Sequence, residues 1–434
     1  MRTELPERAR MRSPGSAEDR SRSPVSFAGH RGPRRGGRLP GSDRHRYSRH
    51  PAIGLVASLF FLSLSATIAA PAPETEQSPP ETRRSEPVAA GIEHVEIRRG
   101  DFGRGIGPDR WTINVLILDP SKTKLSLGRA LDRGVGTETP SSIAARRGAL
   151  AATNGGYFRT EGAYRGEPAG ILALAGKVLS EPARKRPGLA VANTAGKTRL
   201  AVVDVDFGAE VVPAKGARRR VDGVNRPRLD DELILYTPEF NGSTLTGPTG
   251  AEAVVAGGRI RSVRDGRGDA AIPSGGWVAS GHGASRAWVL KNMKEGARVE
   301  LKSRVRLRPS PPFTPEFVIG GGPRLVSGGR PAAGSDPGIY PEGFAAARHP
   351  RTAVGVRADG RILLITVDGR QPERSIGMTV AELASLLIEL GAVEAVNMDG
   401  GGSTAMVIRG RVVNSPSDLT GERAVGDALL IFLR

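Results

Sequence analysis

An α+β fold, built of β-rich mixed and antiparallel sheets with one or two packed helices in a single domain behind a disordered N-terminal arm, is what this sequence predicts. Three observations lead there. Short apolar segments of strand length recur between glycines from about Gly91 to the C-terminus, and helical periodicity is confined to two places. The first fifty residues hold thirteen arginines against five acidic residues and almost no large apolar side chains, so no core can form in them.

After the arm 1–50 comes an uncharged apolar run, 51–70, that follows the basic stretch Arg44-His45-Arg46-Tyr47-Ser48-Arg49 and ends in small residues at Ala66, Ala69 and Ala70. It reads as a signal peptide cleaved near Ala70 or as an uncleaved signal anchor, and in both cases the C-terminal mass is exported. Residues 71–90, with five prolines among Glu, Thr and Ser, read as a linker that would hold the following domain, 91–434, off a membrane. Within that domain 111–118 alternates as a half-buried strand, and 148–153, 200–207, 252–255, 298–307, 362–367, 393–398, 405–408 and 428–432 also suit strands. The clearest helix is 380–390, with a capping-box pattern at Thr379 and Glu382 and a stop at Gly391; a shorter one is expected over 141–147. Residues 208–315 are expected to form a β-rich subdomain.

Composition excludes several classes. There is no cysteine, so disulfides, a lipid-anchored cysteine and a thiol nucleophile are ruled out. The net charge of +18 suits anionic partners, but aromatics are only 4%, too few for base-stacking platforms, and an exported protein meets anionic envelope polymers rather than nucleic acid. None of the glycine runs has P-loop spacing, and there is no HExxH helix, GxSxG elbow or His-rich ligand set.

Four segments share one local grammar, an apolar strand ending in a polar residue and glycines. They are Asn154-Gly155-Gly156-Tyr157-Phe158, Gly320-Gly321-Gly322-Pro323-Arg324, Asp368-Gly369-Arg370 and Asn397-Met398-Asp399-Gly400-Gly401-Gly402-Ser403. Glycine lets backbone N–H groups approach a ligand closely, so meeting strand ends would make one cleft holding an amide, two carboxylates and guanidinium groups. His349-Pro350-Arg351-Thr352 precedes another strand; Arg351 is a candidate oxyanion clamp and His349 a candidate acid or base. Asp368 and Asp399 could share a hard cation such as calcium, although no EF-hand spacing is present.

Taken in order, these segments, together with Pro168-Ala169-Gly170, Gly377-Met378-Thr379, Val413-Asn414-Ser415-Pro416 and Gly421-Glu422-Arg423, resemble the phosphodiester glycosidase family over about residues 111–434. This is the domain of the N-acetylglucosamine-1-phosphodiester α-N-acetylglucosaminidases. The resemblance implies hydrolysis of the glycosidic bond of a sugar-1-phosphodiester, here in an envelope glycan or exopolysaccharide. The expected catalytic residues are Asp399, Asp368 and Arg351. Arg351 with Arg324 would hold phosphate, and one of the two aspartates would activate water or stabilise an oxocarbenium ion. Asn154, Gly155, Gly156, Tyr157, Gly321, Gly322, His349, Thr352, Arg370, Gly400, Gly401, Gly402 and Ser403 complete the expected substrate-binding set, with backbone amides orienting sugar and phosphate oxygens. Ser415 stands where the family's pattern often has a basic residue. The alternative is a noncatalytic polysaccharide-binding protein assisting envelope or exopolysaccharide assembly.

Overall fold

The computed structural model describes residues 80–100, 110–183, 186–332 and 339–434. The basic arm, the apolar segment 51–70 and residues 71–79 of the expected linker lie outside them. The rest of that linker is not a linker: Glu81–Ala89 is a strand paired antiparallel with Ile92–Arg99. Its exposed, charged pattern hides a strand that exists because the neighbouring edge supplies hydrogen bonds, and salt bridges from Arg83 and Arg99 to Glu389 add to the attachment.

The expected β-rich α+β architecture is present. Eight antiparallel strands form the main sheet, in the order Glu81–Ala89, Ile92–Arg99, Trp111–Leu118, Ile362–Val367, Arg351–Arg357, Ala392–Asn397, Arg324–Ser327, Arg330–Pro331. The central strand Ile362–Val367 is apolar throughout because it is buried on both faces. Leu364 points into a core shared with two other sheets, whereas Leu363 and Ile365 face the helix Val380–Glu389 (α3). That helix begins where its capping box predicts, with the Thr379 hydroxyl accepting from the Glu382 N–H and the Glu382 carboxylate accepting from the Thr379 N–H.

The shared core explains why separate parts of the chain meet. Leu116, Val354 and Val396 of the main sheet pack with Leu189, Val202 and Phe317 of a seven-stranded sheet, and with Leu125, Ala151, Met406 and Leu429 of a five-stranded one. The helix Pro140–Arg147 (α1), capped by Thr139, covers the outer face of that five-stranded sheet through Ile143 and Ala144. Residues 223–281 form a further five-stranded sheet with its own core and one parallel pair, Gly223–Val224 with Leu233–Tyr236. Its helix, Gly283–Asn292 (α2), was not expected, because Gly283-Ala284-Ser285-Arg286 carries neither a capping side chain nor a strong apolar stripe. Among the described residues no helix is long and apolar enough to cross a membrane.

Candidate active site

Strand ends from three sheets converge at one place. Arg351–Arg357 begins there, while Ala392–Asn397, Ala151–Asn154 and Phe317–Gly320 end there. Antiparallel pairing then sets Asp427, at the start of Asp427–Leu433, beside the end of Ala151–Asn154. The Asn154 amide donates to the Asp399 carbonyl at 2.7 Å, and its oxygen accepts from the Thr352 hydroxyl at 2.7 Å. Tyr157 donates through its hydroxyl to the Gly322 carbonyl and accepts from the Asn397 amide, both at 2.8 Å. The backbone near 154, 322, 351, 368 and 401 is thus brought together.

The glycines act differently from expectation. Gly155 N–H donates to the Asp427 carbonyl and Gly156 N–H to the Asp427 carboxylate at 2.8 Å. Gly321 and Gly322 donate to Pro187 and Asn397 carbonyls, Gly401 to the Pro350 carbonyl, and Gly400 to the Asp399 carboxylate. These amides are consumed inside the protein, so they do not cradle a ligand. Close approach is what the glycines supply: a Cβ at Gly155 would lie 2.1 Å from Asp427 Oδ1, and Gly322 has φ +120°. Gly402 is wedged against the Arg423–Asp418 pair, where a Cβ would stand 2.1 Å from both side chains. Buried Asn154 and Thr352 likewise brace the backbone rather than face substrate.

Two more expectations are corrected. Asp368 is fully buried, with Oδ2 accepting from Arg374 Nε at 3.0 Å and Oδ1 from the Ser415 N–H and the Asn414 amide. Burial raises its pKa and these donors oppose the rise. Both oxygens are already engaged with donors, so Asp368 anchors the 414–415 segment, is not a catalytic carboxylate, and is unsuited to share calcium with Asp399. Among the described residues no group of three or more acidic or histidine side chains suits a metal. Arg324 is turned to Glu394, Asp204 and the Val202 carbonyl, away from the cleft, because its strand lies beside Ala392–Asn397 and next to Lys197–Pro213.

Arg351 is only 2% exposed. Its Nε donates to the Met378 carbonyl at 2.8 Å, one Nη donates to Phe344 and Ala347 carbonyls, and the guanidinium lies over the Phe344 ring. No carboxylate forms a salt bridge with it among the described residues, and burial together with nearby Arg370 lowers its pKa. A buried cation held only by neutral carbonyls is unusual, since buried charges are normally paired. Arg370, held at φ 62°, stands with Nη2 3.5 Å from His349 Nδ1. Burial, Arg370 and Arg351 all depress the His349 pKa.

The sequence pattern missed Arg186, Tyr340 and Asp427. Arg186 lies 5.2 Å from the Tyr157 ring centroid and 4.9 Å from that of Tyr340, with no salt bridge among the described residues. Tyr157 is half-buried and feels Asp399, Tyr340, Arg186 and Arg351; burial first, then Asp399, raise its pKa. Asp399 is raised to about 6 by burial, with the Ser403 hydroxyl and Gly400 N–H opposing the rise. Asp427, buried, is pushed up to about 7 by burial and by Asp399. The site therefore holds an electrostatically coupled carboxylate pair and three arginines without acidic partners among the described residues. A polar residue opening an apolar strand after glycine, Gly426-Asp427, was the available signal for the second carboxylate; it mirrors the other segments in reverse order.

Cationic side chains and a carboxylate pair thus lie together at converging strand ends. A model of the phosphodiester glycosidase family matches residues 249–432. It is 45% identical over 84 residues to the SPbeta prophage-derived uncharacterized protein YomE of Bacillus subtilis (strain 168). It is also 41% identical over 68 residues to the Bos taurus N-acetylglucosamine-1-phosphodiester α-N-acetylglucosaminidase. These alignments cover 19% and 16% of the chain and only 13% and 12% of the relatives. A solved structure described as a "Putative exported protein" from Burkholderia pseudomallei K96243 superposes with TM-score 0.71 and 26% identity, over 82% of this chain and 97% of that one. A hypothetical protein from Synechocystis shares the fold, with TM-score 0.67 and 22% identity over 82% of this chain and 64% of its own. Asn154, Tyr157 and Arg186 precede the family-matched region, so the fold, not that match, joins them to Asp399.

Proposed function

We propose that this chain is an exported hydrolase that cleaves the glycosidic bond of a sugar-1-phosphodiester, of the N-acetylglucosamine-1-phosphodiester kind, in envelope glycan or exopolysaccharide. The observation that carries the reading is Arg351, a buried guanidinium lacking a carboxylate partner among the described residues, whose charge acts on Tyr157 together with that of Asp399. A phosphodiester anion would supply the missing counter-charge, with Arg370 and Arg186 beside it. His349, whose pKa is lowered by burial and then by Arg370 and Arg351, can hydrogen-bond a phosphate oxygen.

In the reaction a water oxygen bonds to the anomeric carbon while the bond from that carbon to the phosphate oxygen breaks, its electron pair leaving with the phosphomonoester. A phosphate departs as an anion, so it needs cationic stabilisation more than a proton. The arginines provide this. Asp399, ionised above about 6, takes the water proton and faces the oxocarbenium character at the sugar. Asp427, protonated below about 7, keeps the pair at a single negative charge and positions Gly156. The bovine relative's name and the family support the substrate class. Residues 51–70 and the description of the Burkholderia neighbour as a "Putative exported protein" support the compartment.

Incubating the purified protein with an N-acetylglucosamine-1-phosphodiester and measuring free reducing sugar tests the proposal. Arg351→Lys keeps the charge but loses the planar fork, so kcat/KM on the phosphodiester should fall on the order of 10²-fold, with little change on a neutral p-nitrophenyl glycoside. Equal losses on both substrates would remove Arg351 from the phosphate site. Tight glycan binding without sugar release would favour an assembly factor over an enzyme.

A further inference from the structure

A trough runs away from Arg186 and no step of the proposed hydrolysis uses it. One cavity of about 840 Å³ holds Arg186, Glu167, Arg226 and Phe207 in its lining; a second, of about 410 Å³, holds Phe207, Trp277, Glu239 and Lys177. Three elements contribute to both. Along Lys177–Ser180, Lys177 and Val178 face the second cavity and Ser180 the first; along Lys197–Pro213, Val205 belongs to the first, Ala209 to the second and Phe207 to both. Val224 and Arg226 divide in the same way. The two cavities are thus one continuous depression. The Val205-to-Ala209 stretch alone spans about 13 Å of strand.

The lining selects a chemistry. Phe207 and Trp277 are half-buried, packed on the core at one side and open to the trough on the other. Flat aromatic faces of this kind suit the C–H faces of sugar rings, since an aromatic ring offers large contact area with little side-chain freedom to lose. Several charges along the trough are paired, Arg159 with Glu167 at 3.1 Å, Arg226 with Glu181, and Lys177 with Glu239 at 2.9 Å, whereas exposed Arg220 has no salt bridge among the described residues. Such pairs present donors and acceptors for hydroxyl groups without net charge. Arg186, which like Arg220 lacks an acidic partner among the described residues, is the lining cation that lies against Tyr157.

We propose that this trough binds a neutral glycan chain joined to the phosphodiester held at Arg186 and Arg351, so that the substrate is an oligo- or polysaccharide rather than a sugar with a small aglycone, and that Phe207 and Trp277 are its stacking platforms. The inference rests on the proposed hydrolysis for the phosphate end, but glycan binding is measured without any bond being broken. The full chain is titrated with chito-, cello-, malto- and manno-oligosaccharides of one to six residues, following heat and tryptophan fluorescence. At least one series should bind at least tenfold more tightly at four residues than at one. Trp277→Ala should remove that gain while hydrolysis of a small N-acetylglucosamine-1-phosphodiester stays within twofold of wild type. Ser303→Trp, which fills the second cavity from an exposed strand position, provides the same test should Trp277→Ala unfold. Affinity independent of chain length in all four series, or length-dependent binding unchanged in both variants, overturns the trough. Length-dependent binding by a protein that never releases sugar from the phosphodiester leaves the trough standing and refutes the hydrolase.

Discussion

Arg351 and the aspartate pair illustrate how a residue's surroundings decide its chemistry. Arg351 and Arg324 look alike in sequence, yet one is buried without an acidic partner among the described residues and the other is neutralised by Glu394 and Asp204. Asp368 and Asp399 both end apolar strands and burial raises the pKa of both, but Asp368 has both oxygens engaged by Arg374, Asn414 and Ser415. The coupled pair sets a pH profile. Activity on a phosphodiester, as kcat/KM, should rise through about 6 as Asp399 ionises and fall through about 7 as Asp427 loses its proton and a second negative charge appears. Asp427→Asn, which retains an acceptor for Gly156, should abolish the alkaline limb, and Asp399→Asn should cost about 10²–10⁴-fold. An alkaline limb that persists in Asp427→Asn would show that another group titrates. At Gly155 the close approach to Asp427 leaves no room for a methyl group, so Gly155→Ala should lower stability by about 3 kcal/mol in urea unfolding and impair activity with it.

Secondary-structure elements transmit their own boundaries into the site. The helix α3 starts at Val380, immediately after Thr379 and Met378, and the Met378 carbonyl is an acceptor for Arg351. Removing the cap by Thr379→Ala should cost about 1 kcal/mol, seen as a lower urea midpoint at unchanged slope. A cap that matters only to the helix leaves kcat/KM unaltered, whereas a cap that also holds Arg351 lowers it in step with stability. Elements with strong local signals were readable beforehand: 111–118 and 362–367 match the observed strands, and the capping box marks the start of α3. Elements stabilised by neighbours were not. Glu81–Ala89 reads as a polar linker and becomes a strand through pairing, and α2 lacks the capping side chain and amphipathic stripe that would announce it.

At the scale of the whole molecule, three sheets share one core, and that packing forces two carboxylates out of water. Both have folded-state pKa values raised above the ordinary carboxylate range, so between about pH 4 and pH 7 these two groups hold more protons in the native state than in the unfolded chain. Their own contribution to stability is therefore present below that window and is lost as pH rises across it. Comparing wild type with Asp427→Asn isolates one member: the wild type should lose up to about 4 kcal/mol relative to the variant between pH 4 and pH 7.5. A difference in unfolding free energy that stays flat across this range would mean that Asp427 is ionised in the fold at acidic pH.

The sequence by itself determined that the chain is β-rich with few helices, that polar residues and glycines sit at strand ends, and that the ordered set of motifs resembles the phosphodiester glycosidases. Periodicity, turn chemistry and caps are local, so they can be read along a line. Which polar side chains remain available to a substrate was decided only in three dimensions. Glycine amides that look poised for a ligand are taken by Pro187, Pro350, Asn397 and Asp427, and the second carboxylate of the pair arrives from a strand 28 residues beyond Asp399 because Asp427–Leu433 pairs with Ala151–Asn154. Hydrogen-bond satisfaction and desolvation depend on every neighbour at once, and in an antiparallel fold those neighbours are hundreds of residues apart.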